Sequence, residues 1–79
     1  MRGDIMRFPF YNDTGRVVSI HIATKSHGTV CDMSDIQPLE LRWFEIPDGT
    51  IPFIKMWDYS KYGRGLSILV SPSTEDTFK

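Results

Sequence analysis

Apolar and polar side chains alternate in short runs along this chain, and the runs read as strands. Over residues 16–24, Val18, Ile20 and Ile22 fall between Val17, Ser19, His21 and Ala23, the two-residue period of a half-buried strand. Residues 39–46 form a second clear run, with Leu39, Leu41 and Trp43 on one side and Glu40 and Arg42 on the other. Its phase then changes, because Phe44 and Ile46 are apolar while Glu45 is charged, so a β-bulge near Trp43 and Phe44, or cover on both faces, is expected. Residues 51–57 are apolar on both sides: Ile54 and Met56 on one, Ile51, Phe53 and Trp57 on the other, with Lys55 the only charge. Such a strand is either central in a two-layer fold or part of an interface, and Pro52, which cannot donate to a ladder, favours the interface. Residues 7–11 and 66–70 supply two further strands, and residues 29–33 a minor one. No stretch keeps the helical period for the roughly ten positions a helix needs.

Turn residues punctuate these runs. Asn12-Asp13-Thr14-Gly15 tolerates positive φ and predicts a tight turn back onto the 7–11 strand, where Pro9 fits a sheet edge or the strand's irregular start. Lys25-Ser26-His27-Gly28 reads as a loop, and residues 34–38 as a connection with room for a single helical turn. Pro47-Asp48-Gly49-Thr50 predicts a hairpin turn, and residues 58–65 a loop. The expected fold is all-β: a small single-domain β-sandwich, immunoglobulin-like in broad architecture, of five to seven short antiparallel strands, with a small β-barrel as the alternative. Residues 1–70 are assigned to the domain, and residues 71–79 to a polar, disordered C-terminal tail.

Length sharpens this picture. A chain of 79 residues supports one core, and chains of this size bury only about 60% of their unfolded surface, so many recruit a disulfide, a metal or a second subunit. Cys31 is the only cysteine, which rules out an internal bridge and points to the cytoplasm. The first seven residues hold two arginines and an aspartate and lead into no long apolar run, so neither a signal peptide nor a membrane span is expected. A formal charge of -1 gives no field steering the whole molecule toward nucleic acid or an anionic membrane. The acids concentrate in residues 31–58, which permits head-to-tail complementarity between copies, although a solvated surface is the simpler reading of them.

Catalytic and metal chemistry find little support in the residues. His21, His27, Cys31, Asp32 and Asp35 are near one another in sequence, but no paired-cysteine spacing accompanies them, and both histidines precede the cysteine, unlike the usual copper arrangement in a sandwich. Cys31 with a histidine and an aspartate lacks any nucleophile-elbow context, and the scattered carboxylates offer no acid–base pair. Gly63-Arg64-Gly65 has no following helix to hold a phosphate. The chain is therefore expected to be no enzyme and to carry no metal or other cofactor.

Residues 55–64 are the most informative stretch. Trp57, Tyr59 and Tyr62 interleave there with Lys55, Lys61 and Arg64, a pattern that can stack bases or sugars and track phosphates. Trp and Tyr also plug cores with one polar end, and they anchor protein interfaces. Counting Trp43, Phe44, Phe53 and Trp57, the domain owns more large apolar side chains than one thin sandwich needs. The expectation is a non-catalytic protein interaction or assembly module that forms a homo-oligomer, most simply a two-fold dimer, through strand edges or the face carrying Phe53 and Trp57. The alternative is a binder of a small ligand, carbohydrate or single-stranded nucleic acid. Candidate binding residues are Trp43, Phe53, Trp57, Tyr59, Lys61, Tyr62 and Arg64.

Overall fold

The computed structural model describes residues 5–59 and 65–73. Its elements run β1 (Ile5–Tyr11), β2 (Val18–Ile20), a helical turn α1 (Ala23–Ser26), β3 (Leu41–Pro47), β4 (Ile51–Trp57) and β5 (Leu66–Ser73). The all-β expectation therefore holds. The strands form two sheets, β1-β3 and β2-β5-β4, and among the described residues they do not close into a barrel.

The pairing departs from the expected antiparallel plan. β1 pairs β3 and β4 pairs β5 antiparallel, but β2 runs parallel to β5. Parallel neighbours need a long crossover, and the chain between Ile20 and Leu66 provides it by way of the other sheet. Both expected hairpins are corrected for the same reason. The Asn12–Gly15 turn leads from β1 in one sheet to β2 in the other, and the Pro47–Thr50 turn leads from β3 to β4 across the same divide. Each turn has the predicted chemistry, with Gly15 at φ 80° and Gly49 at φ 85°; what the turn residues could not specify is which strand lies alongside.

Ladder geometry explains where the prolines fit. Glu45 exchanges its N–H and C=O with Val30 at 2.8 and 2.9 Å, so alternate residues of β3, Trp43 among them, aim their backbone groups away from β1. Pro9, opposite Trp43, thus owes the ladder no N–H. This isolated bridge at Val30 is what stands in place of the expected minor strand. β5 extends to Ser73, three residues into the expected tail; residues 74–79 lie outside the described residues.

The core takes Phe44 from one sheet, Val18, Ile68 and Val70 from the other, and Ile36 from the connection before β3. Phe8 stacks on Phe44 with centroids 5.6 Å apart. In β3 the inward set is Arg42, Phe44 and Ile46, whereas Leu41 and Trp43 are exposed and the register has no bulge. This reverses the expected face: Leu39 precedes the strand, at φ 66° in a turn closed by Glu40 N–H to Gln37 C=O. Arg42 can point inward because it makes five hydrogen bonds to four partners there. Nη1 donates to the Asp32 and Ser34 carbonyls at 2.6 and 2.7 Å, Nη2 to the Asp35 carbonyl and the Glu40 carboxylate at 3.1 and 2.6 Å, and Nε to the same carboxylate at 3.1 Å. All its N–H donors are used.

β2 is shorter than its alternating pattern predicts, and Ile22, 70% exposed, starts α1 instead of continuing the strand; the loop expected at 25–28 contains the end of this turn. Two buried threonines replace the missing strand. Thr24 Oγ1 accepts the Val70 N–H at 3.1 Å and Thr29 Oγ1 donates to the Val70 carbonyl at 2.8 Å. Hydroxyls can satisfy a strand edge that would otherwise be buried without partners. Asn12, fully buried, brackets the other connection: its Nδ2 donates to the carbonyls of Arg16, Ile36 and Gln37, and its Oδ1 accepts from Thr14.

Candidate functional site

Side chains along a strand alternate faces, so the inward Val18, Ile20, Ile68 and Val70 send Ser19 and Ser67 to the opposite face of the three-stranded sheet. Register then assembles a row across it. Ser19 of β2 lies opposite Ser67 of β5, and Ser67 opposite Trp57 of β4. Two adjoining hollows open over this row, of about 420 and 270 Å³. Ser19, Ile20, His21, Ile22 and Met33 line the larger with Tyr59 and Ser67, and Trp57 joins His21, Tyr59 and Ser67 around the smaller.

His21 is fixed by its neighbours. Its backbone N–H donates to Ile68 C=O at 2.8 Å, and its Nδ1 accepts the Ala23 N–H at 3.0 Å. The neutral ring then carries its proton on Nε2. The imidazole sits 6.0 Å from the Trp57 ring, tilted by 40°. Ser19 is 5% exposed, and its Oγ is buried with no hydrogen-bond partner among the described residues. A buried unpaired hydroxyl costs about 1–3 kcal/mol, so most native ones are satisfied.

Of the sequence-predicted binding residues, Trp57 and Tyr59 come together at these hollows. Phe53 lies on the same face of β4 as Trp57, further along the strand, with Lys55 between them and its Nζ 5.7 Å from the Trp57 ring. Trp43 is apart from this group, on the two-stranded sheet, where the Arg7 guanidinium lies 5.1 Å from its ring. Lys61, Tyr62 and Arg64 lie outside the described residues, as does Gly63. Sequence reading missed Ser19, Ser67 and His21 as a group. Their signal was faint: polar residues at alternate positions of apolar runs, which read as ordinary outward-facing side chains.

A second feature is the margin of the sheet. β4 is an edge strand among the described residues. Ile51, Phe53, Ile54, Met56 and Trp57 are each at least 37% exposed. Pro52 faces Pro72, a pair without N–H groups that fits only a position where both residues turn their backbones away from each other. Pro52, Ile54 and Met56 therefore direct their backbone groups to the edge that no described strand covers, while Ile51, Phe53, Lys55 and Trp57 bond β5.

Among the described residues, no three of the His, Cys, Asp and Glu side chains gather into a metal-binding group. Cys31 is partly buried, with Sγ 3.6 Å from Met33 Sδ. Burial pushes its thiol pKa up, outweighing the attraction of Arg42, and nearby Asp32 adds to the rise; the thiol is thus held in its less nucleophilic form. No helix among the described residues is long and apolar enough to cross a membrane. Compared with known proteins, the chain matches no family model, no curated protein and no solved structure.

Proposed function

We propose that this chain is a non-catalytic interaction and assembly module that pairs with a second copy of itself along the free edge of β4. The observation that carries this reading is that edge: an extended strand whose outer backbone groups meet no other strand among the described residues, with large apolar side chains exposed on both faces. Natural edges are usually short, bulged or charged to prevent pairing. This one has a single charge, Lys55, and a proline at its start.

Those two residues select the register. An antiparallel pair centred on Lys55 would set like charges directly opposite each other, which is destabilising. Centring on Ile54 avoids this. Both Ile54 residues then exchange N–H···O bonds, each Met56 N–H reaches a partner Pro52 carbonyl, Lys55 lies across from the partner's Phe53, and Ile51 from the partner's Trp57. The two-fold axis stands perpendicular to the sheet, so two three-stranded sheets become one continuous sheet with the same faces up. Within each copy, we take the two sheets as layers of a small sandwich, since both contribute to the core. A lone, shielded thiol suits the cytoplasm.

Sedimentation equilibrium of the full chain tests the proposal, with a concentration-dependent dimer as the expected result. Ile54 is 46% exposed, so Ile54→Lys should leave the fold intact while placing like charges at the centre of the pair. Such juxtaposition costs several kcal/mol, or about 100-fold in dimer affinity. A strict monomer at high micromolar concentration, or a dimer indifferent to Ile54→Lys, would overturn the proposal.

A further inference from the structure

We infer that the row Ser19–Ser67–Trp57, with His21 and Tyr59, is a binding site for an uncharged, hydroxylated ring of the size and kind of a pyranose sugar. The residues argue for each part of that description. The larger hollow, at about 420 Å³, falls in the lower part of the range of small-molecule sites, roughly 300–1,000 Å³, and the smaller, at about 270 Å³, adjoins it. Their described lining contains serines, aromatic rings and aliphatic groups, with no Lys, Arg, Asp or Glu. A charged ligand would find no counter-charge among these lining residues, and Lys55, whose Nζ is 5.7 Å from the Trp57 ring, is not one of them.

The floor holds two serines that are register partners on adjacent strands. A serine hydroxyl both donates and accepts, which suits ligand hydroxyls that do the same; the fixed donor–acceptor edge of a nucleobase is better read by amides or guanidinium groups. His21 adds a donor, because its Nδ1 is occupied by the Ala23 N–H and Nε2 carries the proton. Trp57 and Tyr59 supply apolar ring faces against which the C–H face of a sugar can lie.

Ser19 is the residue that points to a ligand. A structural serine at this place would be bonded to a backbone carbonyl, as Thr29 is to Val70. Ser19 Oγ has no such partner. It is closed to bulk water, so binding requires the hydroxyl to turn about χ1 from one staggered well to another, toward the hollow that Ser19 already lines. An edge-to-edge dimer leaves this face uncovered, so the site does not depend on the proposed pairing.

The test uses the full chain carrying Trp43→Phe, which leaves Trp57 as the sole tryptophan reporter. Methyl α-D-glucopyranoside, methyl α-D-mannopyranoside and methyl β-D-galactopyranoside are titrated while Trp57 fluorescence and amide chemical shifts are followed. A saturable change with at least one glycoside, with shifts centred on Ser19, His21 and Ser67, is the expected result. Ser19→Ala separates a ligand role from a structural one. It should weaken glycoside binding about tenfold, yet leave the melting temperature of the free protein unchanged or higher, because an unsatisfied hydroxyl is removed. No saturable response to any glycoside at high millimolar concentration overturns the inference. So does tighter binding of uridine or of glucose 6-phosphate, or a Ser19→Ala variant that binds as well as its parent.

Discussion

Arg42 gives the sharpest test of how this small fold holds together. Its side chain is nearly buried, and all five of its hydrogen bonds are made to the Asp32, Ser34 and Asp35 carbonyls and the Glu40 carboxylate. Replacing it with alanine removes the guanidinium and strands the three carbonyls. Counting each charged hydrogen bond separately, at about 1.5–3 kcal/mol, would overstate the loss, because the 32–35 segment can relax toward water. Breaking one partner of a buried charged network typically costs about 3–5 kcal/mol. A domain of 79 residues has a total stability of roughly 4–12 kcal/mol, at about 0.05–0.15 kcal/mol per residue. Arg42→Ala should therefore consume a large share of it. Urea titration at fixed protein concentration, read by tryptophan fluorescence, measures the effect. With a slope near 1 kcal/mol/M, the midpoint should fall by about 3 M or more, or the variant should be unfolded in buffer. Arg42→Lys keeps the charge but not the fork, and should lose roughly 2 kcal/mol. A midpoint for Arg42→Ala within about 0.5 M of the parent, at unchanged slope, would refute the account of Arg42 as the bracket of this segment.

Three further outcomes are expected. Asn12→Ala, which deprives the Arg16, Ile36 and Gln37 carbonyls of their shared donor, should lower stability by about 2–3 kcal/mol in the same titration. Glu40 is held below the usual carboxylate range first by the Gln37 N–H and then by Arg42, and Asp32 first by the Ser34 N–H and then by the Ser34 side chain. Both folded values lie under the unfolded ones, so this contribution is complete above roughly pH 5 and is lost as pH falls through the folded values; urea midpoints measured from neutral pH to pH 3 should decline at the acid end, and less steeply in Glu40→Gln. Leu39, 71% exposed at φ 66°, occupies a backbone region that favours glycine. Leu39→Gly should raise the melting temperature slightly, by up to about 5 °C, and a clear decrease would show that the side chain contributes packing of its own.

Much of the strand content was legible from the alternation of side chains, because a strand's period is local. β1, β3, β4 and β5 fall where apolar runs predicted strands, and the two glycine turns have the expected positive φ. Local signals failed where burial was satisfied by distant partners. Arg42 read as outward because a charge alone on a face prefers water; only the carbonyls of residues 32–35, folded over it, make the interior acceptable. Leu41 and Trp43 read as inward for the complementary reason, since with Leu39 they form a continuous apolar stripe.

Binding residues divide in the same way. Trp57 and Tyr59 could be found from composition, because aromatic rings beside cations are conspicuous in any sequence. Ser19, Ser67 and His21 could not, since nothing in the chain states that β2 runs parallel to β5 or that β5 brings Ser67 alongside Trp57. The amino-acid order by itself determined where most of the strands extend and where glycine turns fall. Only the tertiary structure decided which strands are neighbours, and with that which polar atoms are buried together and which edge no described strand covers. Side-chain alternation is a property of a few consecutive residues, whereas strand adjacency is set by the summed free energy of contacts far apart in the chain.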